Sequence, residues 1–130
     1  MHPDERTSTT YREVLELLAR YYEGLYRLDI DLLREVFSPS ARYATIRDGE
    51  LLELGLDEYL TIVEQRERPS EQDTPYEYEL ASIRIAGPHT ALAEVRCSLF
   101  GYDYTDLLSL LRIDGRWRIQ SKVFEGVPAP

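Results

Sequence analysis

Residues 104–124, YTDLLSLLRIDGRWRIQSKVF, decide the architecture. Two apolar-rich runs flank Asp114-Gly115, a dipeptide suited to the positive φ angles of a tight hairpin turn. Beyond the turn, Trp117, Ile119, Ser121 and Val123 alternate with polar residues at the two-residue period of a strand. The chain upstream continues the pattern. Ala91, Ala93, Val95, Cys97 and Leu99 share one face of a run from Ala91 to Phe100. Gly87-Pro88-His89 separates it from a run over Tyr76 to Ile85. Four long strands joined by short turns predict an antiparallel meander, because parallel pairs need a crossover of a dozen or more residues.

Working outward, the first half reads as helices around one hairpin. Residues 1–9 read as a disordered arm. Thr10 with Glu13 forms a capping-box pattern, and Val14, Leu18, Tyr21, Leu25 and Leu28 fall on one helical face, predicting a helix over about 10–28. Asp31 is expected to cap a second short helix carrying Leu32, Leu33, Val36 and Phe37, which Ser38-Pro39-Ser40 ends. Ala41–Ile46 and Leu51–Leu54 read as strands around a turn at Asp48-Gly49. A third helix is predicted over Leu56–Arg66, with a loop over residues 67–75. The expected unit is one α+β domain over residues 10–126 with a tail at 127–130.

Composition narrows the function classes. A 130-residue chain with 43% hydrophobic residues can build one core. A net charge of −9 argues against nucleic acid, whose phosphates need clustered cations. No apolar run approaches the roughly 20 residues of a membrane span, and no apolar leader opens the chain, so a cytoplasmic location is expected. Cys97 is the only cysteine, and no internal disulfide can form. The basic residues are 14 arginines and a single lysine, Lys122, a bias that reads as genome composition rather than function. His2 in the arm and His89 in a turn have no second ligand nearby, so neither metal nor cofactor is expected.

Four stretches in order resemble the nuclear transport factor 2-like superfamily, and within it the SnoaL-like or lumazine-binding branch. They are RYYEGLYRLDIDLLREVFSPSARYAT at 20–45, RDGELLELGLDEYL at 47–60, IRIAGPHTALAEV at 83–95 and the closing hairpin at 104–124. The resemblance covers about residues 10–125. It implies a cone-shaped α+β barrel, a bent antiparallel sheet packed on three N-terminal-half helices. It also implies a pocket lined by Tyr21, Leu25, Tyr43, Thr45, Tyr59, Val63, Cys97, Ser109, Trp117 and Ser121, suited to a ring compound. Placed on a ketosteroid isomerase, Tyr21 takes the oxyanion tyrosine position, Thr45 that of the base and Ser109 that of the acid. Threonine is far too weak a base for carbon acids, which argues against that mechanism.

The expected hollow therefore offers hydroxyls without an ionisable catalyst, and passive binding of a hydrophobic ligand ranks ahead of an isomerase, dehydratase or cyclase. A dimeric interaction module ranks third. Tyr21 and Asp106 are the catalytic candidates. Strand parity groups Asp106 with Leu108 and Leu110, opposite Ser109. If Ser109 faces the pocket, Asp106 lies on the convex face, beside Lys122 or Arg96. A bulge between Phe100 and Leu107 would reverse that. Without that bulge, Leu108, Leu110 and Phe124 form an apolar convex patch, which predicts a homodimer. Cys97 reads as a small core residue.

Overall fold

The computed structural model describes residues 3–71, 77–99 and 101–130. Helices α1 (Pro3–Arg27) and α2 (Ile30–Val36) come first, followed by strands β1 (Phe37–Arg47) and β2 (Glu50–Gly55) and helix α3 (Leu56–Glu64). A 3-10 turn at Pro69–Glu71 leads to β3 (Glu77–Ala86), β4 (Thr90–Leu99), β5 (Tyr102–Ile113) and β6 (Arg116–Pro128). All six strands form one sheet in the order β2-β1-β6-β5-β4-β3. The helices cover one face of it, and the sheet does not close into a barrel.

Several boundaries depart from the sequence reading. The first helix starts at Pro3 rather than near Thr10. Proline followed by two acids is itself a favourable helix opening, since N1 has no hydrogen bond to lose. Asp29, not Asp31, caps α2: its carboxylate accepts from the Leu32 N–H at 3.1 Å. Gly24 lies against Leu33, where an added Cβ would sit 2.8 Å from Leu33 Cδ2, so glycine lets α2 close onto α1. Ser38-Pro39-Ser40 ends the helix as expected but belongs to β1. The last strand runs on to Pro128, opposite Tyr102, so residues 127 and 128 are no tail. Tyr76 and Phe100, read as strand ends, lie outside the described residues, as do His2 and positions 72–75 of the expected loop.

The sheet is mixed rather than wholly antiparallel, because β1 runs parallel to β6. That pair joins the two halves of the chain, and β2, α3 and the β3–β5 meander between them provide the long connection a parallel pair requires. Both Asp-Gly turns adopt the positive φ pattern expected of them, with Asp48 at 53°, Gly49 at 79°, Asp114 at 51° and Gly115 at 79°.

One bulge governs which side chains face the core. Ser109 pairs with Ser121, but Leu110 pairs with Ile119, leaving Gln120 as an extra residue on β6. Residues 38–41 of β1 bow away at the same level, between the pairs Phe37–Ile119 and Arg42–Ser121. The Gln120 amide donates to the Ser40 carbonyl at 3.3 Å across that gap. The extra residue reverses the parity of β6. Trp117 and Ile119 point inward before it, and Lys122 and Phe124 after it, while Ser121 and Val123 turn outward.

Two expectations fall with this geometry. Leu108 and Leu110 are fully buried and Phe124 is buried beside them, so they belong to the core rather than the convex patch. Asp106 shares their parity and also points inward, and β4 and β5 pair continuously from Tyr102 to Leu107, with no bulge among those residues. Ser109 is the residue on the outer face. The parity on β5 was correct, but both of its alternating faces carry leucines, and alternation does not say which one the helices cover.

Candidate functional site

A cavity of about 300 Å3 lies between α1, α3 and the inner face of the sheet. Leu25 from α1, Tyr43 and Arg47 from β1, Ile62 from α3 and Arg66 just beyond it form one side. Cys97 and Leu99 from β4, Tyr104 and Asp106 from β5, and Lys122 and Phe124 from β6 form the other. The inner face of two adjacent strands, β5 and β6, places the last four together. Tyr104 and Gly126 are cross-strand partners, and the tyrosine ring lies so close over the glycine that a Cβ there would come within 2.6 Å of it.

The floor carries a buried ion pair. Asp106 is 1% exposed and Lys122 8% exposed, with 3.8 Å between the Asp106 Oδ2 and the Lys122 Nζ. The same oxygen accepts from the Tyr22 hydroxyl at 2.8 Å and has the Cys97 Sγ at 4.0 Å. The other oxygen, Oδ1, is buried without a hydrogen-bond partner among the described residues. Lys122 Nζ lies 5.0 Å from the Phe124 ring centre, 5.5 Å from that of Tyr21 and 5.7 Å from that of Tyr43, a set of cation–π contacts. Burial pulls the Lys122 ammonium toward losing its proton. The charge of Asp106, helped by the phenols of Tyr59 and Tyr43, outweighs this and raises its pKa above the ordinary value.

The aromatic wall continues outward. Tyr43 stacks on Tyr59 at 4.4 Å and packs at 4.9 Å against Phe124, while Tyr104 lies 6.1 Å from Phe124. Arg66 sits over the other side of this wall, 5.9 Å from the Tyr59 ring centre.

Burial, with the adjacent Asp106 charge, pushes the Cys97 thiol from 9.0 up to about 12. At mild alkaline pH it should hold about a thousandfold less thiolate than an ordinary cysteine, since only the thiolate reacts. Iodoacetamide at pH 8 should therefore modify Cys97 very slowly in the native protein and quickly after denaturation. Labelling of the native protein at the rate of a free thiol would contradict this environment.

The residues expected to line one pocket are dispersed. Leu25, Tyr43 and Cys97 line the cavity. Tyr21 lies beneath it, under Lys122, and Tyr59 lies behind Tyr43. Thr45 lines an adjoining groove and donates to the Phe124 carbonyl at 2.6 Å. Val63 is fully buried in the core, and Trp117 lies at a separate depression with Glu13, Leu17 and Arg20. Ser109 and Ser121 face each other on the outer surface of the sheet. Asp106 does meet Lys122, one of its two expected partners, but inside the protein. Asp103, the other acid on this stretch of β5, accepts from Ser98 at 2.6 Å on the exposed side.

The expected absence of an ionisable group in the hollow is overturned by Lys122 and Asp106. Sequence reasoning also missed Arg47, Ile62, Arg66, Leu99, Tyr104 and Phe124. One signal was legible: the chain's only lysine follows an alternating run that a single bulge would turn inward. Among the described residues, no cluster of His, Cys, Asp and Glu could hold a metal, and no helix is long and apolar enough to cross a membrane.

Three helices laid over a curved, unclosed mixed sheet with a hollow between them define a nuclear transport factor 2-like protein. The chain belongs to the family described as "Putative lumazine-binding", which matches residues 9–125. It is 28% identical over 124 residues to the aldolase FrzH of Cladobotryum sp, covering 94% of this chain and 95% of that protein. A crystal structure of an NTF-2 like protein of unknown function from Silicibacter pomeroyi DSS-3 superposes with a TM-score of 0.83 at 26% identity, over 93% of this chain and 98% of the other. Another, from Shewanella baltica OS155, gives 0.83 at 25% identity, over 94% and 97%.

Proposed function

We propose that the chain binds a small carbonyl compound in this hollow and acts on it by aldol chemistry, making or breaking a carbon–carbon bond beside the carbonyl. One observation carries the reading. The only lysine in the chain lies on the floor of the cavity, buried and held against an aspartate. Burying two charges is costly, and such a pair is weak evidence for a purely stabilising role. The similarity to an aldolase over nearly the full length supports the same choice. The aromatic walls suit a flat ring, in keeping with the family's description.

In the cleavage direction, the Asp106 carboxylate takes the proton of the substrate's β-hydroxyl. The bond between the α and β carbons breaks, releasing an aldehyde, and its electron pair moves onto the carbonyl oxygen. The Lys122 ammonium faces that oxygen and stabilises the enolate, a charge present only after the bond begins to break. The proton held by Asp106 then returns to the α carbon. A second route is favoured by the same lysine standing alone among arginines. An amine can form an imine with a carbonyl and a guanidinium cannot. It requires Lys122 to pass its proton to Asp106 before adding to the carbonyl carbon, whose oxygen leaves as water; hydrolysis after carbon–carbon cleavage returns the free amine.

The test is a panel of β-hydroxy ketones and β-hydroxy oxo acids incubated with the protein, with released aldehyde followed by NMR. Borohydride added during turnover separates the routes, because mass spectrometry can assign an imine adduct to Lys122 without competition from other lysines. No cleavage or condensation of any panel member, together with unchanged ligand affinity in Lys122→Met, would refute the proposal. Ligand binding without turnover would leave a passive binding protein. Movement of a proton or loss of water without carbon–carbon cleavage would favour an isomerase or dehydratase.

The outer face of the sheet supports a homodimer in place of the patch first expected. Leu92, Leu107 and Val123 are 42%, 40% and 50% exposed on three neighbouring strands, and Leu107 and Val123 are direct cross-strand partners. Leu107→Asp should convert a dimer to a monomer in sedimentation velocity at micromolar concentration. A wild-type monomer at that concentration removes this part of the proposal.

A further inference from the structure

The charges around the cavity are unlike those of the chain. Lys122, Arg47 and Arg66 line it against one acid, Asp106, so its wall carries 3 − 1 = +2 in a protein of net charge −9. Six other arginines of the described chain pair with carboxylates, among them Arg20 with Glu35, Arg34 with Asp57, Arg42 with Glu53 and Arg68 with Glu71. Among the described residues, neither Arg47 nor Arg66 takes part in an ion pair. What sets these two apart is their convergence on one cavity beside Lys122, which gives the site a positive charge to offer an anion.

Their placement suits that role. Arg66 rests on the Tyr59 ring, which orients its guanidinium and shields one face of it. Arg47 ends β1 and lines both the cavity and the adjoining groove, whose one acid, Asp48, does not line the cavity itself. Both guanidinium groups bear electrostatically on the Tyr104 phenol, favouring its ionised form against the opposing effect of burial. They therefore approach the same part of the rim. Lys122 lies deeper, where the reacting carbonyl would sit. A guanidinium presents planar paired donors that match a carboxylate, and aromatic walls strengthen the contact by excluding water.

We infer that the substrate is an anion, a ring-bearing carbonyl compound with a carboxylate, and that Arg47 and Arg66 hold the carboxylate while Lys122 takes the carbonyl. The carbonyl half of this statement rests on the aldol reading, whereas the carboxylate half rests on the rim charges alone.

Benzoylformate and its methyl ester differ by that one charge and serve as probes in calorimetric titrations. The acid should bind about tenfold or more tightly than the ester, and the difference should shrink at high salt. Arg47→Met/Arg66→Met should lower the acid to the affinity of the ester and leave the ester unchanged, which also shows that the variant is folded. Equal affinities in the wild type, a preference that survives in the double variant, or no binding of the acid at millimolar concentration would each overturn the inference. The two proposals fail separately. Acid preference without any turnover, retained in Lys122→Met, removes the aldol reading alone. Equal turnover of neutral and carboxylated panel members removes the anion site alone.

Discussion

Asp106→Ala should destabilise the protein by about 3–5 kcal/mol, the usual cost of removing one partner of a buried ion pair. Asp106 is 1% exposed, and its partner Lys122, 8% exposed, would remain among aromatic rings without a counter-charge. The Tyr22 hydroxyl would also lose this acceptor. Asp106→Leu/Lys122→Met should recover most of the loss, because it removes both charges together. The pH dependence has a definite sign. Lys122 binds its proton more tightly folded than unfolded, so its contribution is fully present below the unfolded value of 10.5 and is lost as pH rises through the higher folded value. Cys97 and Tyr104, also raised, act in the same direction. In Asp106→Ala, burial is left as the dominant influence on Lys122 and favours the neutral amine, so that variant gains relative stability toward pH 10.5. Urea titrations across this range should show the two proteins converging. A constant gap, or a loss below about 1 kcal/mol, would mean that the pair is not formed as described.

Lys122→Met should reduce aldol turnover by about a hundred- to a thousandfold, the range seen when one donor to a developing oxyanion is removed. Methionine keeps the length and apolar stem, so the effect should fall on turnover more than on binding. The variant leaves Asp106 without its counter-charge, so a urea titration first establishes that it is folded under the assay conditions. Lys122→Arg separates the two chemistries. It keeps a positive charge, so the enolate route retains part of its rate, whereas an imine cannot form and that route is abolished. Unaltered turnover in Lys122→Met would remove the lysine from the mechanism.

Local patterns were sufficient for much of the architecture. The Asp48-Gly49 and Asp114-Gly115 turns, the amphipathic face of α1 and the alternating runs of the second half reflect preferences set within a few residues. The order of helices before a meander was sufficient for the α+β class. The pairing of β1 with β6 was not readable this way, since nothing local specifies a partner some eighty residues distant. The first helix ran further toward the N-terminus than its best capping box suggested, because Pro3-Asp4-Glu5 offers a second opening.

The candidate site divides along the same line. By itself the sequence determined that one lysine stands among 14 arginines, that Asp106 travels with Leu108 and Leu110, and that it could pair with Lys122. Only the tertiary structure decided that this face is the inner one, because helices from elsewhere in the chain cover it. The extra residue at Gln120 then turned Lys122 and Phe124 inward and Ser121 outward. A strand's period is two, so one inserted residue exchanges its faces, and whether the insertion occurs depends on the strand alongside.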